Sequence, residues 1–381
     1  MWPAVWLSAG AALTLYIGAV YPLLLAVWKF RCLPPVRKDM RGLPTVSALL
    51  AVRDGEQFIR AKLESLLALR YPAGRLEILV VSDGSTDGTD GIVESFADRG
   101  VRLLRVPGGG KAAALNAGLQ HCSGEILFLT DVRQTLDPDA AAHLAANFAD
   151  PSVGVATGEL RYVGPESIGE QADMELYWRY ELWVRRRHSR IDSMFGATGC
   201  ICAVRRSLVD PIPSDTLTDD AVIPLRAFFG GYRVIVDPEA LAFDYPAVEG
   251  AEFRRRLRTL AGLWQVSIRM PELFSGANRM RLHFLSHKFS RLVLPWSLLL
   301  VVLGTLALDA SPLRQGLLAA EALFAALALA DAVLPRKSQL KRITSPARTF
   351  IAMNAAAFLS IVVFFVPPAT LWRTTRVTIR R

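Results

Sequence analysis

The hydrophobic pattern gives the chain three textures. Trp2 to Trp28 carries no charge. About 20 apolar residues are enough to span a bilayer, and Trp2, Trp6, Tyr21 and Trp28 lie toward the ends, as interfacial aromatics do. No basic region precedes the run and it is too long for a cleaved signal peptide. Arg31, Arg37, Lys38 and Arg41 follow, so the positive-inside rule places the amino terminus outside and the next segment in the cytoplasm.

From residue 44 to 253 short apolar or β-branched runs alternate with helical spacing. Strands are predicted at Thr45–Val52, Glu77–Ser82, Val101–Val106 and Glu125–Thr130. Helices are predicted at Phe58–Leu69, Gly88–Arg99 and Lys111–His121. This alternation predicts a parallel α/β sheet. Residues 254–291 are basic and amphipathic, with Arg279, Arg281, His283, His287, Lys288 and Arg291 near their end. That composition suits either a helix on an anionic membrane surface or an ordinary solvated face.

Three further spans are predicted within 292–371, at Leu292–Leu308, Gly316–Leu334 and Phe350–Leu371. Glu321 and Asp331 either face protein or mark a span only partly exposed to lipid. The basic loop before the last span reads as cytoplasmic. Four full crossings then leave the basic tail, 372–381, outside, whereas a re-entrant or interfacial C-terminal span returns it inside. The predicted organisation is therefore a membrane helix at 1–30, a cytoplasmic domain at 44–253, an interfacial segment at 254–291, about three spans at 292–371 and the tail.

Composition narrows the class. The chain has 381 residues, 52% hydrophobic and 21% charged, which excludes disorder and a disulfide scaffold. A net charge of +9 implies an anionic partner: nucleic acid, acidic lipid or a phosphorylated substrate. The basic cluster abuts the spans and lacks stacking aromatics, so nucleic acid is the poorest fit. Cys32, Cys122, Cys200 and Cys202 read as reduced thiols, and Cys-x-Cys alone is no metal site.

Five motifs carry candidate chemistry. Val81-Ser-Asp-Gly-Ser-Thr-Asp-Gly88 ends a strand and opens a helix. There Asp83 suits a base or ribose, while Ser85, Thr86 and Asp87 read equally as a helix cap. Gly108–Gly118 is a glycine-rich loop and helix start with Lys111 beside it, a favourable phosphate cradle outside the Walker spacing. Asp131 follows the fourth strand, where a carboxylate can ligate a cation shared with a diphosphate, or simply end the strand in a turn. The adjacent pair Asp219–Asp220 should raise one pKa, which suits a general base, with N-capping as the alternative. The arginines of 253–265 can clamp phosphate oxygens.

The order Ala51-Val-Arg-Asp-Gly-Glu56, SDGSTDGT, GKAAALNAGL, LTD, GATG, TDD and RRRLRT resembles the processive-type family 2 glycosyltransferases, including the cellulose, hyaluronan, chitin and poly-N-acetylglucosamine synthases. The resemblance implies a GT-A fold and inverting transfer from a UDP-sugar. It implies that Ala51, Val52, Arg53 and Glu56 border the uridine and that Asp83 contacts base or ribose. Lys111 then serves the donor site, and Asp131, first of the family's DxD, contacts the donor and a Mg or Mn ion. Gly196, Ala197, Thr198, Gly199 and Cys200 form the acceptor-side loop. Asp220 is the base of the family's TED, with Asp219 in the Glu position, and Arg255 and Arg258 fall on the Gln and Arg of QxxRW.

Two departures stand out. Arg133 replaces the second DxD carboxylate, where its cation would stand in for part of the metal's charge or leave the metal to Asp131 and the diphosphate. Thr259 replaces the tryptophan that supports the acceptor sugar, with Trp264 nearby but off register. The implied partners are a UDP-sugar, a lipid-linked or polysaccharide acceptor and membrane lipids, at the inner or plasma membrane. The implied activity is exopolysaccharide synthesis, with transfer of one sugar to a lipid carrier or glycolipid as the alternative. A non-catalytic scaffold that keeps nucleotide binding is a third reading, opposed by the intact acidic pair.

Overall fold

The computed structural model describes residues 2–29, 32–162, 170–245, 251–335 and 338–371. They form two compact units: a helical one from residues 2–29, 170–184 and 251–371, and an α/β one from residues 32–162 and 185–245. The tail at 372–381, Arg31, Arg336 and Lys337 lie outside the described residues.

The α/β unit is built on an eight-stranded sheet with spatial order β3-β2-β1-β4-β7-β6-β8-β5. Its strands are β1 (Val46–Val52), β2 (Leu76–Asp83), β3 (Val101–Val106), β4 (Ile126–Thr130), β5 (Thr135–Leu136), β6 (Val153–Tyr162), β7 (Cys202–Arg205) and β8 (Arg233–Asp244). The first four run parallel to one another, and β6 runs parallel to β8. β7 and β5 oppose their partners, so the sheet is mostly parallel. β4 is buried at every position and β1 at all but Ala51, as continuous apolar runs covered on both faces should be. The four predicted strands match β1 to β4 to within one residue at each end.

The predicted helices also form, over Glu56–Leu67 and Lys111–Leu119. The region predicted as a helix over 88–99 breaks into Thr89–Glu94 and a single 3₁₀ turn at Ala97–Arg99. There Gly100 adopts φ 85° and reverses the chain into β3.

Among the described residues of the helical unit, four helices are long and apolar enough to cross a membrane: Trp2–Val27, Arg281–Ala307, Pro312–Val333 and Lys341–Phe364. The basic stretch expected to end an interfacial segment is instead built into the second of these. Arg281 starts that helix, and His283 and His287 are buried in it. The cause is pairing with acidic and hydroxyl partners. Glu181 meets His287, Lys288 and Arg291, and the Tyr21 hydroxyl lies 3.0 Å from His283 Nδ1. The acidic residues of the third helix also face protein. Thr305 Oγ1 donates to Glu321 at 2.9 Å, and Asp331 is enclosed by Lys341, Thr344 and Arg348 of the fourth helix. Trp2–Val27 packs closely on Arg281–Ala307, since a Cβ on Gly304 would come within 2.6 Å of the Leu7 amide nitrogen.

Candidate active site

Because β1, β2, β3 and β4 are parallel, their carboxyl ends share one edge, and β1 lies between β2 and β4 where the chain reverses its order of addition. Ligands bind at this kind of switch point. The edge gathers Arg53 after β1, Asp83 at the end of β2, the glycine loop 107–110 after β3, and Asp131 after β4.

Asp83 is buried, and its carboxylate accepts hydrogen bonds from the amides of Gly109 at 2.8 Å and Gly110 at 2.9 Å. Two motifs that read separately in sequence are thus one unit, in which the carboxylate at the end of β2 shapes the glycine loop. Gly84 has φ 64°, and a Cβ there would lie 2.8 Å from the Gly108 nitrogen, so the approach of the two loops requires glycine.

Arg53 lies with its guanidinium against Gly108. The loop after β1 is laced to SDGSTDGT. Asp54 Oδ1 accepts from the Thr86 amide at 2.8 Å, Asp87 Oδ2 accepts from the Glu56 amide at 3.0 Å, and Glu56 Oε2 accepts from the Gly88 amide at 3.0 Å. Asp87 also accepts from the Thr89 amide at 3.0 Å. Asp87 thus holds the first amide of the helix Thr89–Glu94 from the position before its N-cap, Gly88, while Ala51 and Val52 lie opposite Val81 and Ser82 in the β1–β2 ladder.

Lys111 opens the helix Lys111–Leu119, and its Nζ lies 2.9 Å from Asp131 Oδ1 and 3.0 Å from Asp219 Oδ2. Burial opposes its charge, but Asp131 and Asp219 outweigh burial and hold its pKa above the usual lysine range. Asp219 and Asp220 begin the helix Asp219–Phe229, whose N-terminus favours negative charge. Burial, followed by the charge of Asp219, pushes Asp220 up to about 6 against the opposing pull of Lys111.

The loop Gly196–Cys200 closes this group. The Ala197 amide donates to the Asp220 carbonyl at 2.7 Å. Thr198 Oγ1 accepts from Arg185 at 2.8 Å. A Cβ on Gly199 would sit 3.6 Å from Asp220 Oδ2 and 3.7 Å from Asp131 Oδ2. Asp131, Asp219, Asp220, Lys111 and the 196–200 loop are thus brought together.

Arg133 points elsewhere. Its guanidinium is paired with Asp244, buried at the end of β8, which also accepts from Gln134 Nε2 at 2.8 Å. This partner is distant in sequence and invisible there. Arg255, Arg258 and Trp264 belong to the helical unit, on the helix Ala251–Arg269. Arg255 is bidentate to Glu252 at 2.9 and 3.1 Å. The Trp264 ring packs against Phe289 and Phe364.

Comparison with known proteins agrees with this geometry. Residues 47–212 match the family model Glycosyl transferase family 2. The chain contains a family 2 glycosyltransferase domain. It is 26% identical over 269 residues to the probable glycosyltransferase YdaM of Bacillus subtilis, and 25% identical over 260 residues to the poly-beta-1,6-N-acetyl-D-glucosamine synthase of Staphylococcus epidermidis. The matches cover 67% and 66% of this chain and 63% of each of these curated relatives. Among solved structures, the mannosyltransferase PcManGT from Pyrobaculum calidifontis, in complex with GDP-Man and Mn2+, superposes with a TM-score of 0.76 at 24% identity. That superposition covers 95% of this chain and 98% of that one. The fold is that of the GT-A transferases.

Among the described residues no three His, Cys, Asp or Glu side chains are grouped to hold a metal ion by themselves. A magnesium-type ion needs less from protein: one or two carboxylates, with substrate phosphates and water completing its shell. Asp131, with 38% of its side chain exposed at the end of β4, supplies a hard oxygen donor of that kind and fits.

Proposed function

We propose that the chain transfers a sugar, with inversion, from a UDP-sugar to a membrane-associated acceptor, as in exopolysaccharide synthesis. The observation that carries this reading is the Lys111 ammonium between Asp131 and Asp219 beside Asp220, at the carboxyl edge of the sheet.

Asp83 and the 53–56 loop border the nucleoside. Lys111 faces the diphosphate, whose charge grows as the leaving group departs, so a fixed cation binds the transition state better than the ground state. A divalent ion bound with the donor at Asp131 would neutralise the same charge. Asp220 accepts the proton of the acceptor hydroxyl, which attacks the anomeric carbon from the face opposite the diphosphate. With its pKa raised to about 6, Asp220 is ionised at neutral pH yet basic enough to take that proton. The four apolar helices support an acceptor presented at the bilayer and a membrane location, with the α/β unit on the cytoplasmic side.

Nucleotide release by the purified full chain in detergent, screened over UDP-sugars and GDP-mannose with Mg²⁺ or Mn²⁺, tests this. Release from a UDP-sugar that disappears in Asp220→Asn is expected. Release from GDP-mannose alone would overturn the donor assignment, and no release from any donor would overturn the activity. Thr259 in place of the family's tryptophan favours a second reading, transfer of one sugar to a lipid carrier or glycolipid. The length of the labelled product separates the two.

A further inference from the structure

Lys62 lies on the inward face of the helix Glu56–Leu67 with Ile59, Leu63 and Leu66, and it is fully buried. Burying an ammonium is costly unless hydrogen bonds or charges compensate it. Its Nζ donates to Thr130 Oγ1 at 2.6 Å and to the Gln134 backbone carbonyl at 2.8 Å. Thr130 is the last residue of β4, and Gln134 closes the turn made by Asp131, Val132 and Arg133. One ammonium therefore grips the Thr130 hydroxyl before Asp131 and the Gln134 carbonyl after it. The grip extends further, because Thr130 Oγ1 donates to the Cys200 carbonyl at 2.7 Å, at the end of the loop whose Gly199 lies against the Asp131 and Asp220 carboxylates.

We infer that Lys62 is a positioning residue, which fixes the Asp131 carboxylate at the donor site by clamping the chain before and after it. This rests on the reading of Asp131 as a donor-site group. Nothing in the motifs marks Lys62; its signal in sequence is a lysine on the apolar stripe of a helix. Burial lowers its pKa to about 8 against the charge of Asp131, and burial pushes the neighbouring Cys200 thiol up to about 12, which leaves it neutral. Above about pH 8 the amine keeps hydrogens for both acceptors but loses the positive charge behind Asp131.

The test uses the full chain in detergent, with UDP plus MnCl₂ as the calorimetric probe and thermal unfolding alongside. Lys62→Met should raise the UDP Kd about tenfold and lower kcat/KM chiefly through KM, with the melting temperature unchanged or higher. The wild-type rise in Kd between pH 7 and 9 should be absent from the variant. Thr130→Val, which removes one of the two gripped groups, should raise Kd in the same direction and add little to Lys62→Met, and it decides the matter if Lys62→Met does not fold. Unchanged Kd and KM in both variants, or a loss confined to kcat, overturns the inference. Asp131→Asn separates the premises: wild-type UDP affinity in that variant refutes the donor-site reading, whereas a weakened Asp131→Asn beside an unaffected Lys62→Met refutes the role of Lys62 alone.

Discussion

Asp220→Asn removes the proposed base while keeping size and shape, and two opposite effects should follow. Positioned general bases contribute about 10²–10⁴-fold, so kcat/KM should fall by that range. Stability should move the other way. The folded pKa of about 6 lies above the ordinary 3.8, so between those values the folded chain holds more protons than the unfolded one. Unfolding then becomes easier as pH rises, and the loss is complete above about pH 6. Two pKa units correspond to at most about 3 kcal/mol; Asp220 is only half-buried, and solvent screening reduces this to about 1–2 kcal/mol. The variant should therefore melt a few degrees higher than wild type at pH 7.5, with the gain vanishing near pH 4. Nucleotide release against pH and differential scanning fluorimetry at both pH values check this. The wild-type kcat/KM should rise with pH through about 6 on its acid limb. An Asp220→Asn variant that turns over at the wild-type rate, or that melts lower at pH 7.5, would refute the reasoning.

Further outcomes follow from single contacts. Lys111→Met leaves Asp131 and Asp219 without the ammonium between them, so it should cost about 1–3 kcal/mol of stability and push Asp220 above 6, which a shifted acid limb would reveal. Gly84→Ala places a Cβ 2.8 Å from the Gly108 nitrogen at φ 64°, costing about 1–3 kcal/mol and weakening UDP binding measured by calorimetry. Gly304→Val drives a branched side chain toward the Leu7 backbone. It should lower the melting temperature in detergent without altering the pH profile of any remaining turnover.

Much of the fold and part of the candidate site were legible along the chain. β1 to β4 and the four membrane-length helices announced themselves because continuous apolar runs have few alternatives once buried. Asp83, Lys111, Asp131 and Asp220 were each legible as motif residues, because a carboxylate or lysine at a strand or helix end is a local pattern. Sequence alone thus determined a membrane-associated chain with an α/β unit whose strand ends carry charge. What only the tertiary structure decided was partnership. The Asp83 carboxylate organises Gly109 and Gly110, Arg133 is spent on Asp244 111 residues away, and His283 and His287 enter a membrane-length helix. Lys62 braces the turn that carries Asp131. The physical reason is that burying a charge is favourable only where another element brings a partner to it, and which element does so depends on how the chain closes in space.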